Sequence, residues 1–168
     1  MKNTIYGKIG IRYNEHRTAD KRILNAIISL LNLPLESDIG AGTGNYSNAL
    51  ADLGFRVNAV EPSIEMRNQA IQNNNVIWFD GTAESIPLPD HSVDGVVVVL
   101  AVHHFSSLRN AAIEFYRICP KGPIVIFTFD PRECEDFWFK EYFPEIWEQA
   151  FNFKEISGYS LIIGKIEK

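Results

Sequence analysis

Apolar residues recur along the chain at two spacings, and the two spacings alternate. Short continuous runs, of which 93–100 is the clearest, are typical of strands buried in a sheet. Apolar residues three and four positions apart are typical of helices that pack on one face. The pattern predicts helices at 18–33, 43–53, 63–72 and 106–119, strands at 35–39, 55–60, 76–79, 93–100 and 124–129, and a closing antiparallel hairpin at 153–164.

The first of these strands is poor in apolar residues. Between Pro34 and Gly40 only Leu35 and Ile39 are aliphatic, whereas a central parallel strand usually carries an apolar run of about five or six residues. The sequence therefore predicts either a stunted first strand or residues missing from the chain as given.

Three glycines at alternate positions, Gly40, Gly42 and Gly44, follow this strand. Glycine allows a tight turn and a close approach of the backbone to a ligand. The helix that follows presents free N–H groups at the same place. The pattern predicts a polar, nucleoside-like ligand, although an ordinary turn between strand and helix explains a glycine pattern equally well.

Glu61 favours a ligand site over an ordinary turn, because it ends the second predicted strand about 20 residues beyond the glycines. An acid there is placed to accept hydrogen bonds from ribose hydroxyls. A dinucleotide fingerprint needs its third glycine at position 45, which is Asn45 here, and this counts against a nicotinamide-dependent oxidoreductase.

Asp38 and the G-x-G-x-G run resemble motif I of the class I S-adenosylmethionine-dependent methyltransferases. The segments 61–67, 80–90 and 93–105 are similar to the methyltransferase type 11 subgroup, which includes ubiquinone/menaquinone-biosynthesis-like enzymes. The resemblance runs from about Tyr13 to Pro131. It implies an α/β fold with a doubly wound, Rossmann-like and mostly parallel sheet, a C-terminal antiparallel strand, and methyl transfer from S-adenosylmethionine to a small-molecule acceptor. The segment after the fifth strand is shorter than is usual in the family, so a reduced cap is expected.

The same resemblance implies where each part of the cofactor binds. The glycine loop backbone would contact the methionine part, Asp38 its amino group, and Glu61 the ribose. Adenine recognition would fall to the segment 82–84, where family members often carry an acid at the position of Thr82. The implied cofactor residues are Tyr13, Asp38, Gly40, Ala41, Gly42, Glu61, Pro62, Ser63, Met66, Thr82, Ala83, Glu84 and Leu100.

Three of these residues have a plain structural alternative. Tyr13 can belong to a lid formed by residues 1–17 or lie on a floppy terminus. Met66 can flank the adenine or fill the core. Glu84 can contact the adenine or be a solvated surface acid.

His103 and His104 follow the strand 93–100 at the predicted mouth of the site. A histidine can serve as a general base near neutral pH, but structural roles for both are favoured by roughly 2:1. No Cys or acid motif accompanies the pair, so no metal site is predicted. The aromatic residues of the short cap at 132–150 can form core, an acceptor pocket or a dimer face.

Composition narrows the class of protein. The 168 residues suit one domain, 1–168, and the net charge of −5 without a basic run argues against a nucleic-acid partner. The longest apolar run, 96–102, is too short to span a membrane. Two cysteines, Cys119 and Cys134, and an N-terminus without a signal-like run fit a cytoplasmic protein. A monomer or a homodimer is expected.

A different class of function remains open at this point. The short first strand and reduced cap favour a non-catalytic module that binds S-adenosylmethionine, a nucleoside or a protein partner on the same fold.

Overall fold

The computed structural model describes residues 18–31, 35–128 and 162–164; for 35–38 and 162–164 it is the backbone that is described. The predicted lid at 1–17, with Tyr13, and the predicted cap at 132–150 lie outside these residues. The elements in chain order are α1 (Lys21–Leu30), β1 (Leu35–Ile39), α2 (Asn45–Asp52), β2 (Arg56–Val60), α3 (Ile64–Arg67), β3 (Val76–Phe79), β4 (Gly95–Val99), a 3₁₀ turn (Val102–His104), α4 (Leu108–Ile118), β5 (Ile124–Phe127) and β6 (Ile162–Gly164).

The six strands form one sheet in the order β3-β2-β1-β4-β5-β6. The first five strands run parallel, and β6 pairs antiparallel with β5. The strand order reverses between β1 and β4, and in open α/β sheets ligands bind outside the carboxyl ends of the strands at such a reversal. The predicted doubly wound, Rossmann-like sheet with a C-terminal antiparallel strand is confirmed.

The strand β1 lies at the centre of the sheet despite its polar sequence. All five of its residues are in register with β2, and three of them with β4. It is as long as its two neighbours, which also have five residues each. The prediction of a stunted strand is therefore wrong, because backbone pairing on both sides defines it.

Both faces of the sheet are covered by apolar side chains, as a parallel sheet requires. Successive residues of β4 point to opposite faces: Val96 and Val98 pack with α4 residues such as Phe115, whereas Val97 packs with Ile27 of α1. The buried face of α2 is formed by Ser47, Leu50 and Ala51. Leu53, which the periodicity places in the core, is 56% exposed.

Two helices, α1 and α4, begin later than the predicted ranges 18–33 and 106–119, because a later side chain caps each of them. Asp20, not Thr18, caps α1 by accepting the Arg22 N–H. Ser107, not Ser106, caps α4 by accepting the Asn110 N–H.

The helix α3 is the largest difference, since it has four residues instead of the predicted ten or so. Ser63 caps it, and Met66 is its buried residue. The next apolar residue, Ile71, is 67% exposed, so no packed face extends the helix further.

Candidate functional site

The glycine loop connects β1 to α2 at the carboxyl edge of the sheet. Gly40, Gly42 and Gly44 have φ angles of 71°, 59° and 84°. These left-handed values are costly for any residue that carries a Cβ. The sequence pattern thus reflects a backbone path that only glycine follows without strain.

The three glycines face different surroundings. A Cβ on Gly40 would lie 2.5 Å from the Ala101 Cβ, and one on Gly44 would lie 2.6 Å from Cζ2 of Trp78. At Gly42, no heavy atom of the described residues lies within 4 Å of such a Cβ. Gly40 and Gly44 therefore allow close packing, whereas Gly42 borders the space in which a ligand can approach the loop.

Glu61 connects the glycine loop to the end of β2. Its Oε2 accepts the Gly42 N–H at 2.9 Å, and its Oε1 accepts the Ser63 N–H at 2.9 Å. Only 9% of the residue is exposed. Burial raises the pKa of Glu61, while the two N–H donors and the positive charge of Arg67 oppose that rise. The two oxygens have lone pairs for further donors, as two ribose hydroxyls would require.

Arg67 ties together the ends of β2 and β3. Its Nη1 donates to the Glu61 carbonyl oxygen and, at 3.1 Å, to the Asp80 carboxylate. Arg67 lies in the segment 61–67 that resembles the family, but the sequence does not predict this role, because Asp80 is 13 residues further on.

The loop after β3 carries the predicted adenine residues. Thr82 is exposed and forms an isolated bridge with Ser85, and Ala83 is buried. Glu84 Oε1 accepts the Ser106 N–H at 2.5 Å, the Ser106 hydroxyl at 3.0 Å and the Ser107 N–H at 3.0 Å. The structure thus gives Glu84 partners on a distant segment, which neither sequence alternative included.

The electrostatics of Glu84 are opposite to those of Glu61. Burial by itself would raise the pKa of Glu84, but the hydrogen bonds from Ser107 and Ser106 outweigh it and hold the pKa below its ordinary value.

The remaining predicted residues border the same edge of the sheet. The Asp38 backbone is in register with Ala59 and Val97, next to the glycine loop. Leu100 adopts a left-handed conformation, with a φ of 52°, and is 38% exposed. A left-handed backbone is strained for a leucine, and strained residues of this kind cluster at functional sites. Pro62 is exposed, Ser63 caps α3, and Met66 is buried; Ala41, in the loop, is half-buried.

The two histidines lie side by side in the 3₁₀ turn. Their ring centroids are 3.9 Å apart at an interplanar angle of 54°. Burial, followed by the charge of His104, lowers the pKa of His103 to about 3. Desolvation by the neighbouring protein atoms also lowers the pKa of His104, to about 4, although the residue as a whole is exposed. Both rings are neutral at neutral pH and bind a proton weakly, which disfavours a general base here.

The comparison with protein families identifies the class. A family model described as "Methyltransferase domain" matches residues 37–127, which is more than half of the chain. The chain belongs to this family, and the predicted class is confirmed. Family membership and similar structures described as S-adenosylmethionine-dependent indicate S-adenosylmethionine as the cofactor, as predicted.

Individual relatives share about a third to four fifths of their length with this chain. The malonyl-(acyl-carrier protein) O-methyltransferase of Yersinia pestis is 40% identical over 92 residues, 54% of this chain and 34% of the relative. A ubiquinone/menaquinone biosynthesis C-methyltransferase of Rubrivivax gelatinosus is 33% identical over 87 residues, 51% of this chain and 35% of the relative. The chain thus spans about a third of the length of these curated relatives.

Two crystal structures resemble the chain more extensively. A protein of Anabaena variabilis, assigned as a methyltransferase from an antibiotic biosynthesis pathway, is 54% identical with a TM-score of 0.74, and the match covers 82% of this chain and 57% of that one. A Thermotoga maritima protein, described as an S-adenosylmethionine-dependent methyltransferase and possible histamine N-methyltransferase, is 27% identical with a TM-score of 0.65. That match covers 87% and 80% of the two chains.

Proposed function

We propose that this protein transfers a methyl group from S-adenosylmethionine to a small-molecule acceptor. The observation that carries the proposal is the contact between Glu61 and Gly42, at a point where a Cβ on Gly42 would meet no heavy atom of the described residues. A carboxylate and a glycine loop at neighbouring strand ends suit a ligand with a ribose at one side and a compact polar group at the other.

The chain's own residues bind and orient in this proposal. The backbone of Gly40, Ala41 and Gly42, with Asp38 beside it, would hold the methionine end. Glu61 would accept the ribose hydroxyls, with Pro62, Ser63 and Met66 following it. The remaining assignments are Thr82 and Ala83 beside the adenine and Leu100 beside the reacting centre. The bound cofactor supplies an electrophilic methyl group, so the protein needs no covalent nucleophile.

No proton transfer is assigned to His103 or His104. With pKa values of about 3 and 4, either ring is a poor acceptor for a proton at neutral pH. They lie next to Leu100 and Ala101, so contact with the acceptor is the role that their position supports. Positioning the acceptor in line with the methyl group is then the main contribution of the protein.

The small-molecule class of acceptor draws support from the relatives and from charge. The names of these relatives describe O-, C- and N-methyl transfer. These acceptors differ in kind, so they support a class of substrate and not one compound. The net charge of −5 is unfavourable for a nucleic-acid acceptor. No helix in the described ranges is long and apolar enough to cross a membrane.

Calorimetric titration with S-adenosylhomocysteine tests the proposal directly. Glu61→Ala should weaken binding by about 1–3 kcal/mol, because charge-assisted hydrogen bonds to the ribose are lost. Asp52→Ala is the matched control: it removes an exposed carboxylate at the end of α2 that bonds Asn73. Equal affinity of wild type and Glu61→Ala would remove Glu61 from the binding site, and no binding by wild type would end the proposal.

A binding module without turnover remains the second candidate. The observation in its favour is the histidine pair, whose ring centroids lie 3.9 Å apart: burial lowers the pKa of both rings, so this edge of the sheet lacks an effective base. Transfer of a radiolabelled methyl group in a broad acceptor screen distinguishes the two functions. Tight binding of S-adenosylhomocysteine with no transfer to any acceptor would favour the module.

A further inference from the structure

One oxygen of Glu84 joins two segments that follow strands at the carboxyl edge of the sheet. Glu84 Oε1 accepts hydrogen bonds from the N–H and hydroxyl of Ser106 and from the N–H of Ser107. We call this set of three residues the Glu84 clamp. We propose that Glu84 is a positioning residue that couples the loop 82–85 to the segment 101–107, so that a ligand bound at the loop affects the histidine pair. This inference rests on the proposed function.

The loop side of the clamp is a short closed turn. Thr82 and Ser85 form a bridge on either side of Glu84, and the Ser85 N–H donates to the Thr82 carbonyl at 3.2 Å. Ala83 is 4% exposed and packs in the core. A displacement of the Glu84 side chain is therefore transmitted to Thr82 and Ala83, the two residues proposed to lie beside the adenine.

The other side of the clamp continues directly into the 3₁₀ turn. The Phe105 N–H donates to the Val102 carbonyl at 3.1 Å, and the His104 N–H donates to the Ala101 carbonyl at 2.9 Å. Val102 is 1% exposed, so the turn is anchored in the core. Ala101 in turn lies against Gly40. A continuous set of contacts thus runs from the loop, through Glu84 and the histidines, to the glycine loop.

A second connection, between α4 and the residues directly after the loop 82–85, makes the clamp testable. Glu114 accepts the Ile86 N–H at 2.8 Å and pairs with Arg117. Arg117 also donates to the carbonyl oxygens of Ile86 and Leu88. These bonds hold residues 86–88, which directly follow the loop 82–85, to α4. They remain when Glu84 is replaced, so a Glu84 variant keeps a major part of its support for folding.

Loss of the clamp and loss of the second connection should have different consequences. Loss of Glu84 frees the turn that carries Thr82 and Ala83 from the histidine segment. Loss of Glu114 weakens the packing of residues 86–90 on α4, away from the glycine loop. Glu84→Gln is the conservative variant, because all three donors address one oxygen and an amide oxygen can accept them.

The experiment compares the full chain with Glu84→Ala, Glu84→Gln and Glu114→Ala. Affinity for S-adenosylhomocysteine is measured by calorimetry, and the histidine ring resonances are recorded by NMR with and without saturating S-adenosylhomocysteine. The chain has four histidines, and spectra of His103→Asn and His104→Asn assign the pair. Thermal melting of each variant verifies that it is folded.

In wild type, saturating ligand should shift the ring resonances of the pair. Glu84→Ala should bind about tenfold more weakly, and its resonances should not shift at saturation. Glu84→Gln should stay within about twofold of wild type and keep the shift. Glu114→Ala should melt at a lower temperature yet keep both the affinity and the shift.

Three results would overturn the inference: resonances that do not shift in a wild type that binds ligand, a Glu84→Ala variant that behaves as wild type, or a Glu114→Ala variant with the same losses as Glu84→Ala. Failure of the wild type to bind S-adenosylhomocysteine at all is a different result, since it contradicts the proposed function itself.

Discussion

Two carboxylates belong to two parts of the candidate site, which we call the glycine-loop side and the clamp side, and they act there by different means. On the glycine-loop side, each oxygen of Glu61 accepts one backbone N–H. On the clamp side, a single oxygen of Glu84 accepts the hydrogen bonds from all three donors of the clamp. Burial raises the pKa of Glu61, whereas hydrogen bonds that outweigh burial lower the pKa of Glu84. Glu61 is thus suited to hold a loop and a ligand together, and Glu84 to join two segments of protein.

The two sides also meet at one point, which is the contact of Gly40 with Ala101. The loop could not approach the end of β4 if residue 40 carried a side chain. The geometry of one side therefore depends on the other, and substitutions at this contact should have the largest effects.

Gly40→Ala should lower the free energy of unfolding by about 3 kcal/mol. The left-handed φ contributes about 1–2 kcal/mol, and the rest comes from a Cβ forced within 2.5 Å of the Ala101 Cβ. Urea-induced unfolding measures the change. Gly42→Ala is the matched control: its φ is also left-handed, but no described atom opposes its Cβ, so it should cost only about 1–2 kcal/mol.

Equal costs for the two substitutions would mean that the contact between Gly40 and Ala101 contributes nothing. Ligand affinity should distinguish the two substitutions in the opposite order from stability, since a methyl group on Gly42 enters the space proposed for the ligand. Gly42→Ala should therefore lose affinity for S-adenosylhomocysteine by more than its modest loss of stability suggests.

The sequence predicted the first side of the site better than the second, for a physical reason. A glycine loop and an acid at the end of the next strand are read from neighbouring elements, and their spacing follows from the lengths of a helix and a strand. The strand β3 was likewise predicted at 76–79, where it is found. The Glu84 clamp joins residues that are 22 and 23 positions apart, and nothing in local composition indicates that pairing.

Two further differences have the same origin. A stunted β1 was one of two alternatives that its few aliphatic residues suggested, and it is wrong because pairing with β2 and β4 determines the strand. The helix α3 was expected to run to residue 72, and it ends at Arg67 because no packing surface receives Ile71. Tertiary contacts override local propensity in both cases.

The same substitution at both carboxylates sharpens the comparison. Glu61→Gln replaces one acceptor oxygen with an NH₂ group, which must then face either the Gly42 N–H or the Ser63 N–H. Affinity for S-adenosylhomocysteine should fall about tenfold. Glu84→Gln keeps one oxygen for all three donors and should change affinity by less than about twofold.

Affinity is the appropriate measurement here, because neutralising the buried Glu61 also relieves a desolvation cost and offsets part of any loss in stability. An equal loss of affinity in both variants would show that charge alone matters, and that the number of acceptor oxygens does not.

The smallest expected effect is a dependence of stability on pH with opposite sign at the two carboxylates. Because the folded-state pKa of Glu61 is raised, the folded protein holds its proton longer than the unfolded chain does. The stability that Glu61 contributes relative to Glu61→Gln is therefore complete below the ordinary glutamate pKa and is lost as the pH rises through the raised value.

The folded-state pKa of Glu84 is lowered, so its contribution has the opposite sense. Relative to Glu84→Gln, that stability is present above the ordinary glutamate pKa and is lost as the pH falls through the lowered value. Urea unfolding of wild type and both variants from about pH 3 to 8 measures the two differences. The two differences should change with pH in opposite directions. Slopes of the same sign would mean that burial does not dominate at Glu61 while hydrogen bonds dominate at Glu84.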